Sequence, residues 1–336
     1  MLKFFKYDFL VTLIGIFLAG WLGFNSGNSF NFILTALLLA VLEVSLSFDN
    51  AVVNASTLQD MDDKWRHRFL TWGMVIAVFG MRIVFPLIII MIAGHLAPWE
   101  AINTALTNPK HYAELMHSAH VGISGFGGSF LAMVALKYFL DHEKEIHWIK
   151  FIESKLASLG KIEAAEIAII LLGVWAISNF IPQTEIATLW VSSAFGLITY
   201  IFVDGIGALL ESKHTETVVK SGIASFLYLE LLDASFSFDG VIGALAITNN
   251  MLLIAIGLGI GAMFVRSLTL LMVEKGTLDA YKYLENGAFW AIAILALIMF
   301  INLVHEVHEA VTGMLGGGLI ALSVIYSIYE KHKHKN

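Results

Sequence analysis

Apolar residues run along this chain in long stretches broken by short polar clusters. Ten of these stretches come close to or exceed the roughly 18 residues that mark a membrane-crossing helix. They predict helices over about 8–24, 30–57, 69–96, 121–140, 164–181, 185–210, 221–247, 250–274, 286–304 and 310–329, with ends uncertain by a few residues. Three of the four prolines, Pro98, Pro109 and Pro182, fall in connections. Pro86 falls inside the third helix and predicts a kink there. The polar stretch 141–163 reads as an amphipathic surface connection, and 98–120 as a second irregular segment on the opposite side.

Composition turns this pattern into a class. The chain of 336 residues is 58% hydrophobic and 14% charged, where a soluble domain carries about 25% charged residues. An all-α fold follows: a polytopic membrane helical bundle. Lys3 and Lys6 precede an apolar run that ends near Phe24 without a small-x-small cleavage site, which reads as a retained first helix. The net charge of −7 comes with no basic patch suited to nucleic acid. The absence of cysteine excludes disulfides, thiolate metal sites and thiol catalysis. Of the 20 Lys and Arg residues, all but Lys110, Arg82 and Arg266 lie at the termini or in even-numbered connections. The positive-inside rule then places both termini in the cytoplasm.

Against this apolar background one acidic motif occurs twice. The first copy is Glu43-Val-Ser45-Leu-Ser47-Phe48-Asp49-Asn50 and the second is Asp233-Ala-Ser235-Phe-Ser237-Phe238-Asp239-Gly240. Acid aligns with acid at both positions, and both serines, the phenylalanine and the second aspartate are identical. Further on, Gly73 and Arg82 align with Gly257 and Arg266. Residues 1–181 and 182–336 then form two membrane repeats of five helices each. An odd number of helices per repeat makes the second run opposite to the first, the inverted-topology plan of alternating-access transporters. Helix two runs inward and helix seven outward, which lets the four acids meet near the midplane.

Carboxylates in hydrocarbon are costly and face a partner, an ion or a water-filled path. Residues six apart on a straight helix point about 120° apart, so Glu43 and Asp49 share a site only if the helix distorts. The Ser-rich intervening sequence, with Asn50 in one copy and Gly240 in the other, predicts a break at each motif. The donors on offer are carboxylates, the Ser47 and Ser237 hydroxyls, amides of Asn50 or Asn54, and backbone carbonyls. Such a set suits Mg, Ca or Mn rather than copper or zinc. Four acids match one or two divalent cations or several protons. Two readings stand for Arg82 and Arg266: counter-ions that neutralise a carboxylate when the ion is absent, or structural ion pairs.

The paired motif resembles the signature of the TerC family of the LysE-like transporters, and most closely a TerC-related group of bacterial membrane proteins of unknown function, DUF475. The resemblance covers most of the chain. It implies a metal-ion carrier of the bacterial cytoplasmic membrane, with Mn²⁺ export as the leading activity. It also implies that Glu43, Asp49, Asp233 and Asp239 carry the ion. Gly240 departs from the family pattern, where a polar residue is common.

Other features carry weaker signals. Asp204, followed by Gly205 and Gly207, reads as a proton relay, an outer-shell ligand or a paired structural acid. Glu230 shares a face with Asp233, one turn away. Asn54 serves as an amide ligand or as a helix–helix hydrogen-bonding group. His305, Glu306, His308 and Glu309, with His95, His111, His117 and His120, gather on one side as an ion-attracting cluster or a solvated surface. The Gly316–Gly318 run lacks the strand–turn–helix context of a phosphate loop. No ATP-binding motif is present, so the expected function is a secondary active carrier of a divalent cation, coupled to protons, with the lipid bilayer as its setting and no permanent cofactor. Two alternatives belong to other classes. An intramembrane aspartyl hydrolase would show Tyr-Asp and Gly-x-Gly-Asp signatures, which are absent. A membrane scaffold would pair its acids with Arg82 and Arg266 in a dry interface.

Overall fold

A computed structural model describes residues 4–24, 27–59, 61–73, 75–211 and 222–333, without the side chains of residues 207–211, 238, 239 and 309. Within them the secondary structure is helical throughout. The helices are α1 (Lys6–Phe24), α2 (Ser29–Leu46), α3 (Phe48–Gln59), α4 (Asp63–Arg68), α5 (Phe85–Gly94), α6 (Pro98–Thr107), α7 (Pro109–Ser118) and α8 (His120–Phe139). They continue as α9 (Lys150–Leu159), α10 (Ala165–Ser178), α11 (Gln183–Glu211), α12 (Gly222–Ile247), α13 (Met251–Glu274), α14 (Thr277–Ala280), α15 (Leu284–Ile301) and α16 (Glu309–Lys333). Two π-helical segments, Phe69–Gly73 and Ile76–Val84, lead into α5.

Every expected apolar helix has its counterpart. Among the described residues, eight helical stretches are long and apolar enough to cross a membrane, so the chain folds as a membrane helical bundle. Two other apolar segments complete the expected set. α10 is apolar but only 14 residues long, and α12 has 26 residues but carries Glu230, Asp233 and Asp239.

The expected breaks differ between the copies. The first forms: Ser47 separates α2 from α3 with φ −104° and ψ 17°. Its hydroxyl donates to the Glu43 carboxylate, 3.0 Å away. The second motif lies in an unbroken helix: Ser235 bonds back to the Leu231 carbonyl, 2.9 Å away, as Ser45 does to Val41 in the first copy, but where Ser47 donates to Glu43, Ser237 donates to a neighbouring segment.

In the third membrane segment the distortion is wider than a proline kink. Phe85 N–H reaches back to the Gly80 carbonyl in π register. The next bond in that register would run from residue 86 to Met81, and Pro86 has no N–H to make it. The Ser237 hydroxyl on α12 instead donates to the Met81 carbonyl at 3.2 Å.

Glycines let the central helices approach closely. A Cβ on Gly257 would lie 2.9 Å from the Ala36 carbonyl oxygen, and one on Gly261 2.7 Å from that of Ala40, so α13 and α2 pack side by side in parallel. α12 lies parallel to the π-helical segments, with Glu230 beside Gly73 and Ser237 beside Met81. α11 packs on α8, α8 on α15, and α15 on α16. Helices from both sides of residue 181 therefore share one core, whose buried center includes Phe130, Leu189, Leu229, Leu232 and Ile292.

Candidate functional site

Residues 43, 47, 50 and 54 follow one another by four, three and four positions, which keeps them on one face of a helix at 3.6 residues per turn. On the α2–α3 face they present a carboxylate, a hydroxyl and two amides, all buried. Asp233 on α12 stands opposite, also buried. Glu43, Ser47, Asn50, Asn54, Asp233, Arg82 and Arg266 line one cavity of about 40 Å³. That is room for about three water-sized occupants at most, since a single water needs about 10–15 Å³.

Each half supplies a differently satisfied acid. Glu43 Oε1 accepts from Arg82 Nη2 in an ion pair buried on both sides, and from Ser47 Oγ. Glycines enclose it: a Cβ on Gly261 would lie 2.7 Å from Glu43 Cγ, and one on Gly240 2.9 Å from its Oε2. Asp233 Oδ1 accepts from Asn50 Nδ2 and, at 3.4 Å, from Asn54 Nδ2. The amide oxygens of Asn50 and Asn54 are buried with no hydrogen-bond partner. Unsatisfied buried acceptors of this kind are uncommon and need an explanation.

The two arginines differ. Arg82 binds Glu43, while Arg266 Nη2 donates to the Leu70 carbonyl in the first π-helical segment, 2.6 Å away. The Nε of each is buried without a partner. Beside Arg266, Asp8 of α1 accepts from Ser267 Oγ at 2.9 Å.

The remaining expected site residues lie elsewhere. Asp49 is buried but lines a second small cavity with Ser45, Thr312, Gly313 and Gly316, on the far side of the α2–α3 face. The break at Ser47 thus leaves Glu43 and Asp49 on different cavities. Ser237 serves the Met81 carbonyl, and Asp239 belongs to α12 but its side chain lies outside the described residues. Asp204 is exposed on α11 and lines neither cavity. Among the described residues no group of three or more His, Asp or Glu side chains is placed to hold a metal ion, the histidines on 95–120 and 305–308 included.

Two groups stand out in the structure more than in the sequence. Both oxygens of Glu230 are buried without a partner, one turn from Asp233. Gly261, which accommodates Glu43, is marked in the sequence only as the last of three glycines spaced by two, after Gly257 and Gly259.

The family described as "Protein of unknown function (DUF475)" matches residues 48–334. The match takes in Asp49, Asn50, Asn54 and the second motif, and begins just after Glu43. No curated protein and no solved structure matches the chain.

Proposed function

We propose that this chain, which belongs to the DUF475 family, is a secondary active carrier of a divalent cation, with Mn²⁺ export across a bacterial cytoplasmic membrane as its leading activity. The observation that carries the reading is the pair of unpartnered amide oxygens, Asn50 Oδ1 and Asn54 Oδ1, buried beside carboxylates from both motif copies. With Glu43, Asp233 and the Ser47 hydroxyl they make an all-oxygen donor set, the kind that hard divalent cations take. The TerC resemblance of the motif points to manganese within that class.

Charge balance fits a carrier. Glu43 and Asp233 together neutralise one divalent ion. Without it, Arg82 and Arg266 bring the four formal charges at the cavity to zero, so both guanidinium groups have to withdraw from the acids when the ion binds. An inverted repeat supplies the two access states. Its support is the reciprocal packing of the halves: Asn50 of the first motif meets Asp233 of the second, and Gly240 of the second meets Glu43 of the first. In this reading both termini are cytoplasmic and the bundle rocks about the cavity.

The buried Arg82–Glu43 pair also suits a scaffold that uses its acids to hold helices together. Purified protein in lipid vesicles separates the two. A carrier moves Mn²⁺, tested against Ca²⁺, Mg²⁺, Zn²⁺ and H⁺, and loses that flux with Asp233→Asn. A protein that moves none of these ions is not a carrier of this kind.

A further inference from the structure

The arginines occupy equivalent places in the two halves but do different things. Arg82 follows Glu43 into the third membrane segment as Arg266 follows Asp233 into α13, and both line the same cavity. Only the first pair is closed. Arg266 rests on the Leu70 carbonyl, with Nε buried and unpartnered, while Asp233 relies on two neutral amides. Leu70 belongs to a π-helical turn, a distortion found often at functional sites.

Resting on the carrier reading above, we propose that Arg266 is the counter-ion of Asp233 in the opposite access state. It leaves the Leu70 carbonyl and closes on Asp233 as Arg82 releases Glu43. One arginine–acid pair is then closed in each empty state, and the two exchange as the halves exchange roles. A divalent cation at Glu43 and Asp233 takes the place of both guanidinium groups, so the loaded carrier needs neither. The groups around Arg266 allow the move. Leu70 offers only a neutral acceptor and Asp233 has no cationic hydrogen-bond partner; Asp8 on α1, bonded to Ser267 through one oxygen but with the other buried and unpartnered, is the carboxylate that competes for Arg266.

This role separates two transport modes. Net flux requires the empty carrier to reorient, which carries Asp233 across without its cation. Exchange of Mn²⁺ inside for Mn²⁺ outside uses only the loaded carrier. An unpaired buried carboxylate is costly, so losing Arg266 slows the empty step alone. In Mn²⁺-loaded vesicles, Arg266→Gln is expected to lower net efflux at least about tenfold more than it lowers exchange. Arg266→Lys is expected to restore most of the net efflux. Exchange in Arg266→Gln also reports that the variant is folded. Equal loss of both modes, or net efflux unchanged, overturns the counter-ion role while leaving the carrier reading intact. Failure of the unaltered protein to move Mn²⁺ in either mode overturns both.

Discussion

The Arg82–Glu43 pair offers the sharpest test of how the site is held when empty. Both side chains are almost fully enclosed, at 6% and 1% exposure. Removing one member of such a pair leaves an uncompensated charge and costs about 3–5 kcal/mol, whereas replacing both with uncharged groups of similar volume is often close to neutral. Arg82→Met leaves Glu43 with the Ser47 hydroxyl as its remaining hydrogen-bond donor. Glu43→Gln leaves a guanidinium whose Nε already lacks a partner. Each single variant is therefore expected to lose about 3–5 kcal/mol, and the double variant far less than their sum, a coupling of at least about 3 kcal/mol. Equilibrium unfolding in lipid–detergent micelles, followed by loss of helical signal, measures all four corners of the cycle. Additivity within about 0.5 kcal/mol, the range for independent sites, would refute the pair as a ground-state contact.

Three further outcomes follow from the geometry. Asp233→Asn is expected to abolish Mn²⁺ flux in vesicles and Asp49→Asn to reduce it less, because Asp49 faces the second cavity; equal loss would move Asp49 into the ion path. Gly261→Ala sets a methyl 2.7 Å from both the Ala40 carbonyl oxygen and Glu43 Cγ, so it is expected to destabilise by about 1–3 kcal/mol as overpacking does, read as a lowered unfolding midpoint. In the polar connection, Glu153 accepts from Lys144 Nζ, Trp148 N, Ile149 N, Asn286 Nδ2 and Trp290 Nε1. Burial alone would raise its carboxyl, but these donors outweigh burial and hold it below the ordinary value. Its contribution is therefore present above the unfolded carboxyl's value of about 4.3 and lost as pH falls through the lower folded one. Glu153→Gln is expected to be clearly less stable than the unaltered protein near pH 7, with the gap closing below about pH 4; a gap constant from pH 7 to pH 3 would rule this out.

Much of the fold was legible because membrane helices announce themselves by length and apolarity. Even the break at Ser47 was foreseeable from a serine-rich motif. The continuity of α12 was not: Ser45 and Ser235 both bond back within their own turns, and the copies differ at the second serine, where Ser47 finds Glu43 and Ser237 finds Met81 on a neighbour. The π-helical register was equally hidden. Pro86 signalled a disturbance, but its form depends on Ser237, far away in sequence. At the site, the helical arithmetic pointed the right way. Glu43, Ser47, Asn50 and Asn54 share a face by spacing alone, and Asp49 lines a different cavity from Glu43 despite the break.

The glycine at position 240, where the first motif has Asn50, reads differently once the two halves are packed. In one crossing contact an aspartate meets an asparagine, Asp233 with Asn50. In the other a glutamate meets a glycine, Glu43 with Gly240, where even a Cβ would come within 2.9 Å of the carboxylate. The longer acid occupies the space that the missing side chain leaves. Because α2 also draws close to α13 at Gly261, the Glu43 carboxylate has little room except toward Arg82, Ser47 and the cavity. Gly240 is thus the complement of Glu43. An asparagine there would crowd the one acid that already has a cationic partner, while the acid served only by amides keeps its asparagine. The asymmetry in side chains matches the asymmetry in pairing: the acid that meets the glycine, Glu43, holds a closed arginine pair, and the acid that meets the asparagine, Asp233, does not.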